Sequence, residues 1–449
     1  MPDLQKIFKF HGGVHPEENK ELTSGKKIQD APLFENYVVP LQQHIGAPTK
    51  PLVKKKDTVR KGQLIAESGG FVSANIHAPT SGTVSDVSTC PGLAGPLPAV
   101  TITSDGEDQT VEDGLQPIAE WRNTDPDMLK QRIADAGIVG MGGAAFPTHV
   151  KLSPPPAKKI DVLIINGVEC EPCLTADHRL MLEEQDQMLA GIGIIARILG
   201  AREVYLAIER NKPDAIETLR EPAKKTGIDV VDLEVQYPQG AEKQLIYAVT
   251  GRKVPTGGLP MDVGCVVQNV GTALAVAEAV HEGKPLIERI TTVTGAPATT
   301  PGNWRFRVGT LLQDALSVAD GVKYDPAKII MGGPMMGISV ASLEVPVMKN
   351  TSGILLLGPD EIHQFTSEAC ISCGQCVDAC PMNIMPGTLS VQIENERFEL
   401  AEKWRAMDCI ECGCCAYVCP TNRPLVHHFK RAKAEIMAKR RAAAQAAKE

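Results

Sequence analysis

The sequence predicts a multidomain protein of α/β plus β class, and three patterns carry that prediction. Short β-branched runs broken by Gly and Pro fill residues 33–105, strands and helices alternate over residues 161–281, and two cysteine runs of one spacing occupy residues 370–420. Length agrees, because 449 residues exceed one hydrophobic core and domains of ~100–200 residues make three or four units.

In chain order, residues 1–30 are polar and carry a G-G-V-H-P turn, where His11 and His15 read as surface-loop residues rather than ligands. Then come Y-V-V-P-L, K-P-L-V, G-Q-L-I-A-E, I-H-A-P-T-S-G-T-V and A-V-T-I-T. Short strands at this spacing, separated by turn residues, make a small β-sandwich or barrel. A helix is expected over T-D-P-D-M-L-K-Q-R-I-A-D-A-G, capped by Thr124 or Asp125 and closed by Gly137. Strands at 161–166, 203–208, 230–236 and 265–269 alternate with helices near 188–199, 214–226, 242–249 and 272–281. Such alternation builds a mostly parallel sheet whose ligands sit at the strand C-terminal ends. Residues 291–360 return to β-rich sequence with one helix near 307–316, the pattern of a β-grasp domain, and the M-G-G-P-M-M-G loop at 331–337 reads as a turn.

The cysteine runs are C-I-S-C-G-Q-C-V-D-A-C-P (Cys370, Cys373, Cys376, Cys380) and C-I-E-C-G-C-C-A-Y-V-C-P (Cys409, Cys412, Cys415, Cys419). Three thiolates at i, i+3 and i+6 wrap one [4Fe–4S] cube, and the fourth Cys ligates the other cluster. One cubane is therefore expected on Cys370, Cys373, Cys376 and Cys419, and the second on Cys409, Cys412, Cys415 and Cys380. Zinc prefers two separated C-x2-C pairs, so the triple runs fit it poorly. The segment over 389–407 reads as a helix, which points to a helical ferredoxin domain. The basic tail (Lys430, Arg431, Lys433, Lys439, Arg440, Arg441) reads as a solvated helix or a docking element.

Composition narrows the class. A net charge of −8 and 4% aromatic residues argue against nucleic acid as a partner. The N-terminal M-P-D-L-Q-K-I-F-K-F has no apolar leader, and the best apolar run, 189–199, is cut by Arg197 and too short to span a bilayer. Oxygen-labile clusters beside free thiols suit a reducing compartment, so the expectation is a cytoplasmic chain with peripheral membrane contact.

Three loops at the expected mouth of the parallel sheet are candidate ligand contacts. G-M-G-G-A-A-F-P-T-H-V-K (140–151) lets backbone amides approach an anionic group, with Lys151 adding charge. N-G-V-E-C-E-P (166–172) and Q-N-V-G-T (268–272) each follow a strand directly.

These loops, with G-A-E-K-Q-L-I (240–246), resemble in order the G-R-G-G-A-G-F-P-T-G-x-K, N-G-D-E-G-E-P-G, G-E-E-T-A-L-L and N-N-V-E-T motifs of the flavin- and NADH-binding subunit of respiratory complex I and related hydrogenase diaphorases. The resemblance implies FMN or NADH contacts at Gly140, Gly142, Gly143, Phe146, Lys151, Asn166, Glu169, Glu171, Gly240, Glu242, Asn269 and Thr272, with Phe146 and Glu171 on the nicotinamide side. Departures are Met141 for Arg, Val168 for Asp, Ala145 and Cys170 for Gly, Ala241 for Glu and Gly271 for Glu. G-Q-L-I-A-E and H-A-P-T-S-G-T-V resemble the barrel-sandwich hybrid of biotinyl and lipoyl carriers, but the intervening S-G-G-F-V-S-A-N hairpin has no lysine. The whole order resembles the C-subunit family of Rnf ion-translocating electron-transport complexes. That resemblance implies a subunit on the cytoplasmic face of the inner membrane, with two [4Fe–4S] clusters, FMN, and NADH as substrate. Its partners would be an iron–sulfur electron-transfer subunit and integral membrane subunits, coupled to Na+ or H+ movement. The expected division is 1–110 (N-terminal region with the barrel-sandwich hybrid), 111–285 (FMN/NADH α/β domain), 286–360 (β-grasp), 361–425 (ferredoxin-type) and 426–449 (tail). The rival expectation is an electron-relay and docking subunit without NADH activity.

Overall fold

The computed structural model describes residues 7–446; the first six residues of the N-terminal stretch and the last three of the basic tail lie outside the described residues. Residues 36–104 form the expected sandwich. Asn36–Pro40, Leu97–Ser104, Gly82–Cys90 and Thr58–Val59 make one antiparallel sheet, and Lys50–Pro51, Leu64–Glu67 and Ile76–His77 make the other. Side chains alternate across a strand, so Tyr37, Val39, Val100 and Ile102 turn inward to meet Ile65 and Ile76 of the facing sheet.

The middle of the chain is a four-stranded parallel sheet in the order Asp229–Leu233, Glu203–Glu209, Val162–Asn166, Cys265–Asn269. Its strands are apolar almost throughout because helices cover both faces, a feature of parallel sheets. The first three strands run outward in one direction and the fourth returns to the other side of Val162–Asn166. The switch point therefore lies between the two strands that end in Asn166 and Asn269, where open α/β sheets bind ligands. Helix Pro126–Asp135 is capped by the Asp125 side chain on Asp127 N–H, as the sequence indicates. Helix Ala176–Glu183 has no counterpart in the sequence expectation.

Residues 288–357 form a six-stranded mixed sheet ordered Ile28–Asp30, Gly302–Arg307, Glu288–Thr294, Gly353–Leu357, Lys328–Met331, Ile338–Val340, with one helix at Leu312–Ser317. Its first strand comes from the N-terminal region, pairing parallel with Gly302–Arg307.

In the cysteine-rich region the single helix expected over 389–407 is two, Pro386–Glu394 and Phe398–Lys403. The chain breaks at Glu396, which takes a φ of 57°, beside Asn395, a weak helix former. Both pack with Leu425–Ala446 around Leu389, Ile393, Ala401, Phe429, Ala432 and Ile436. The basic residues of that long helix pair with the chain's own acids: Arg431 with Glu396, Lys433 with Glu411, Lys439 with Glu399, Arg440 with Glu402. Four of the six basic residues of the tail thus pair with acids of its own domain. Among the described residues, no helix is long and apolar enough to cross a membrane.

Candidate functional site: a glycine-loop cleft joined to a buried thiol set

Asn166 and Asn269 are direct cross-strand partners at the switch point. Asn166 Nδ2 donates to Gly240 O at 2.9 Å. Asn269 caps helix Val270–His281, its Oδ1 accepting from Gly271 N at 2.8 Å while Nδ2 donates to Asp177 Oδ2. The glycine loop arches over this pair, tied down by Met141 N–H donating to Thr272 Oγ1 at 3.0 Å and by Gly140 N–H donating to Phe146 O at 2.8 Å. Gly142, Gly143 and Ala144 are exposed. A Cβ at Gly142 would stand 3.1 Å from Asn269, whereas beyond Gly143 there is open space. Lys151 reaches beneath the loop, its Nζ donating to Glu242 Oε1 at 2.8 Å and to Val267 O at 3.0 Å. Gln268 Nε2, one residue before Asn269, is buried without a partner. Exposed glycine-loop amides, a lysine held at the strand ends and an unfilled buried donor suit a phosphate-bearing ring ligand such as FMN, so the residues present fit that group.

Two of the twelve expected contacts, Glu169 and Glu171, already accept hydrogen bonds from within the protein. Glu169 accepts from Asp177 N at 2.8 Å and His178 N at 3.1 Å. It serves the orphan amides at the start of the unforeseen helix Ala176–Glu183. Glu171 accepts from Met335 N at 3.0 Å and Met336 N at 2.8 Å, so the M-G-G-P-M-M-G loop is its partner. Burial pushes the Glu171 carboxyl up to about 7. One residue the sequence reading missed is Arg289. Its guanidinium lies buried under the glycine loop, Nη2 donating to Met141 O at 3.3 Å, with Asp177 at 3.9 Å. Where the flavin-subunit motif has Arg, this chain has Met141; Arg289 brings a guanidinium back from the next sheet. The only signal for it in the sequence was that departure.

The thiols fall into two crossed sets. Cys370 and Cys376 both face Gly387, whose added Cβ would stand 3.5 and 3.3 Å from their Sγ atoms, with Cys373 and Cys419 close to Cys376; Cys409, Cys412 and Cys380 surround Cys415. Cys380, Cys409, Cys412 and Cys415 line a small cavity of about 20 Å3 walled by Ile384, Ile410, Val426 and Phe429. Burial pushes the Cys409 thiol up to about 12, while the hydrogen bond from Cys414 holds the Cys412 thiol below its usual range; a coordinating metal deprotonates its thiols outright. Each run supplies soft thiolates at i, i+3 and i+6 with a fourth beyond, the donor chemistry of an iron–sulfur cube. The donor set fits a cubane.

A short loop joins the cleft to the buried thiol set. Gly240 receives Asn166, and its N–H faces Cys170 Sγ at 3.4 Å. Three residues earlier, Tyr237 OH donates to Cys412 O at 2.7 Å. Three residues of extended chain span at most ~10 Å. Residues 8–14 strap the same junction. Gly13 N–H donates to Ala379 O at 2.9 Å, and Val14 and Tyr237 exchange backbone bonds. A side chain on Gly12 would meet the Cys380 carbonyl at 2.8 Å. The G-G-V-H-P turn is therefore a close-packed strap, with His11 and His15 exposed as expected. Gln244 Nε2 adds a bond to Pro381 O at 3.2 Å.

Comparison with known proteins gives the same modules. The RnfC barrel sandwich hybrid domain matches residues 8–107, the Nuo51 FMN-binding domain 133–278, the SLBB domain 290–339 and the 4Fe-4S dicluster domain 369–423. The chain is 49% identical over 428 residues to the C subunit of the proton-translocating ferredoxin:NAD(+) oxidoreductase complex of Clostridium ljungdahlii, covering 95% of this chain and 93% of that one. It is 44% identical over 434 residues to the C subunit of the Na(+)-translocating complex of Acetobacterium woodii, covering 96% and 98%. Among solved structures, a NAD+-reducing [NiFe]-hydrogenase in the H2-reduced state shares the fold with a TM-score of 0.51 at 20% identity, over 73% of this chain and 69% of that one. With near-complete coverage at close to half identity, this chain belongs to the C-subunit family of ion-translocating oxidoreductase complexes.

Proposed function

We propose that this chain is the NADH-oxidising, electron-transferring peripheral subunit of a membrane-bound, ion-translocating ferredoxin:NAD(+) oxidoreductase. FMN would be held by Gly140, Gly142, Gly143, Lys151, Asn166, Gly240, Asn269 and Thr272, and bound FMN supplies two-electron acceptance from a nicotinamide with one-electron release. The chain's own residues position and neutralise. Glycine-loop amides meet an anionic group, Lys151 and Arg289 set cationic charge beside it, and Phe146 shields the opening. No side chain need carry a proton. Cys409, Cys412, Cys415 and Cys380 would hold the cluster nearer the flavin, and Cys370, Cys373, Cys376 and Cys419 the outer one. The observation that carries this reading is the 237–240 loop, which touches Asn166 at one end and Cys412 at the other.

The outer set opens to solvent beside Ile371, Val377 and Met385, a face suited to an iron–sulfur partner subunit. Integral subunits of the complex would then move Na+ or H+, with this chain on the cytoplasmic face. The same reading treats residues 286–360 as a β-grasp. Support comes from the two central strands, Glu288–Thr294 and Gly353–Leu357, which run parallel and are flanked antiparallel by Gly302–Arg307 and Lys328–Met331. The domain boundaries near 110, 285, 360 and 425 belong to it as well.

A second reading, relay and docking without NADH chemistry, draws on Glu169 and Glu171 being engaged within the protein. One experiment separates the two. The anaerobically reconstituted chain is assayed for flavin and iron, then mixed with NADH while cluster absorbance is followed. Stoichiometric FMN, about eight irons per chain and bleaching by NADH support the first reading. Iron without flavin and no bleaching leaves only the relay.

A further inference from the structure

Beyond the second cysteine run the chain turns an arginine inward. Arginine is seldom buried unless paired, and the Arg423 side chain is 3% exposed. Its guanidinium gathers three stretches of chain around the outer thiol set. Nη1 donates to the carbonyl of Glu368, which lies just ahead of Cys370. Nη2 donates to Ser390 Oγ at 3.1 Å and to Glu394 Oε2, both on helix Pro386–Glu394, whose Gly387 faces the Cys370 and Cys376 sulfurs. The segments before Cys370 and after Cys419 are also laced directly. Thr366 N–H donates to Asn422 O at 3.0 Å and Thr366 Oγ1 to Thr421 O at 2.7 Å, while Thr421 Oγ1 lies 3.5 Å from Cys419 Sγ.

Two features of this guanidinium go beyond stapling. Its Nε is buried with no acceptor among the described residues, and a donor left so costs ~1–3 kcal/mol. Its carboxylate partner, Glu394, is 36% exposed, so water and salt screen the negative charge more than the positive one. A positive field remains on the buried side, within electrostatic reach of Cys419.

We infer that Arg423 tunes the outer [4Fe–4S] centre, its charge and its spare Nε–H stabilising the reduced cluster and raising its reduction potential. This rests on the two-cluster reading above and is independent of the flavin. Reduction adds one electron, so a fixed cation nearby favours the reduced cluster over the oxidised one. Net charge and hydrogen bonds to the sulfurs are the levers by which a protein sets such potentials. At the inner set the cation is Lys433, whose Nζ donates to Cys409 O at 2.6 Å and to Glu411 Oε1 at 2.7 Å. Lys433 and Glu411 are similarly exposed, so their charges are screened alike and largely cancel. Arg423 is thus a positioning residue with an electrostatic role, and that role sets how readily the exposed centre takes up an electron.

The test is a redox titration of the anaerobically reconstituted chain followed by electron paramagnetic resonance, with iron counted in every sample. The outer signal is the one altered by Cys373→Ser. Arg423→Met is expected to lower the outer midpoint potential by about 59 mV, a tenfold change in a one-electron equilibrium and the scale of one charge-assisted hydrogen bond. The inner midpoint should stay where it is. Arg423→Lys, which keeps the charge and loses the Nε–H, should fall between wild type and Arg423→Met. If Arg423→Met loses the outer iron, Arg423→Gln, which can still donate to the Glu368 carbonyl, carries the same comparison. An unchanged outer midpoint at about eight irons per chain, an equal shift of both clusters, or Arg423→Lys no higher than Arg423→Met overturns the tuning. A wild-type chain that binds only about four irons overturns the two-cluster reading itself, and this role with it.

Discussion

The two cysteine loops have one spacing and nearly one conformation, yet their surroundings differ. Gly374 and Gly413 take φ of 84° and 86°, Ser372 and Glu411 take 57° and 59°, and each loop runs into a four-residue helix. Local sequence sets that geometry. In the first loop Cys373 is exposed and Ile371 is 63% exposed. In the second, Cys412, Cys414 and Cys415 are buried with Val14, Tyr237 and Met335 around them. A Cβ on Gly374 meets nothing within 4 Å, while one on Gly413 meets Met335 O at 2.9 Å. The same motif is thus an inward contact in one copy and an outward face in the other. Tertiary packing, not the motif, assigns those roles.

The sharpest way to break this comparison is to remove one thiol from each set. Cys412→Ser is expected to abolish NADH-driven reduction of every centre beyond the flavin. Cys373→Ser should keep reduction of the inner centre and lose transfer to an external acceptor, and absorbance changes under NADH read both.

Next in size is the glycine pair. Both substitutions by Ala carry the left-handed penalty of ~1–2 kcal/mol, and Gly413→Ala adds the Met335 clash. Thermal unfolding should therefore place Gly413→Ala clearly below Gly374→Ala; equal melting points would mean that the 331–337 loop does not press on the inner cluster.

Lys349 probes the sandwich-to-cleft junction. Its amine is buried and its pKa is lowered to about 7 by desolvation. The folded chain then binds the proton less tightly than the unfolded chain, so stability rises with pH from about 7 towards the usual lysine value and is lost as pH falls back to about 7. Lys349→Met should flatten that slope in melts from pH 7 to 9.5. It should also cost on the order of 1–3 kcal/mol, because the carbonyls of Asn75 and Gly137 lose their donor.

The smallest effect is expected from Tyr237→Phe. It removes one hydrogen bond to Cys412 O, worth about 0.5–1.5 kcal/mol net. Slower flavin-to-cluster transfer with unchanged flavin content would mark the loop as a positioning element.

What the sequence showed and hid follows from sequence separation. The thiol spacing, the Asn166 and Asn269 strand ends and the 140–151 loop were legible because each is local. The protein partners of Glu169 and Glu171 were not legible because they are a helix start eight residues on and the loop at 335–336. Arg289 and the strap at 8–14 were invisible for the same reason, since each acts on a loop from another unit. The 389–407 pattern hid its break because only Asn395 interrupts an otherwise helix-forming run.

The inner position of the Cys380, Cys409, Cys412 and Cys415 set is tested most directly by stopped-flow NADH reduction of the Cys373→Ser chain beside the Cys412→Ser chain. Cluster bleaching that persists in the first and vanishes in the second, with flavin reduced in both, is the predicted result. Bleaching lost in the first and kept in the second would place the exposed set next to the flavin and contradict the account.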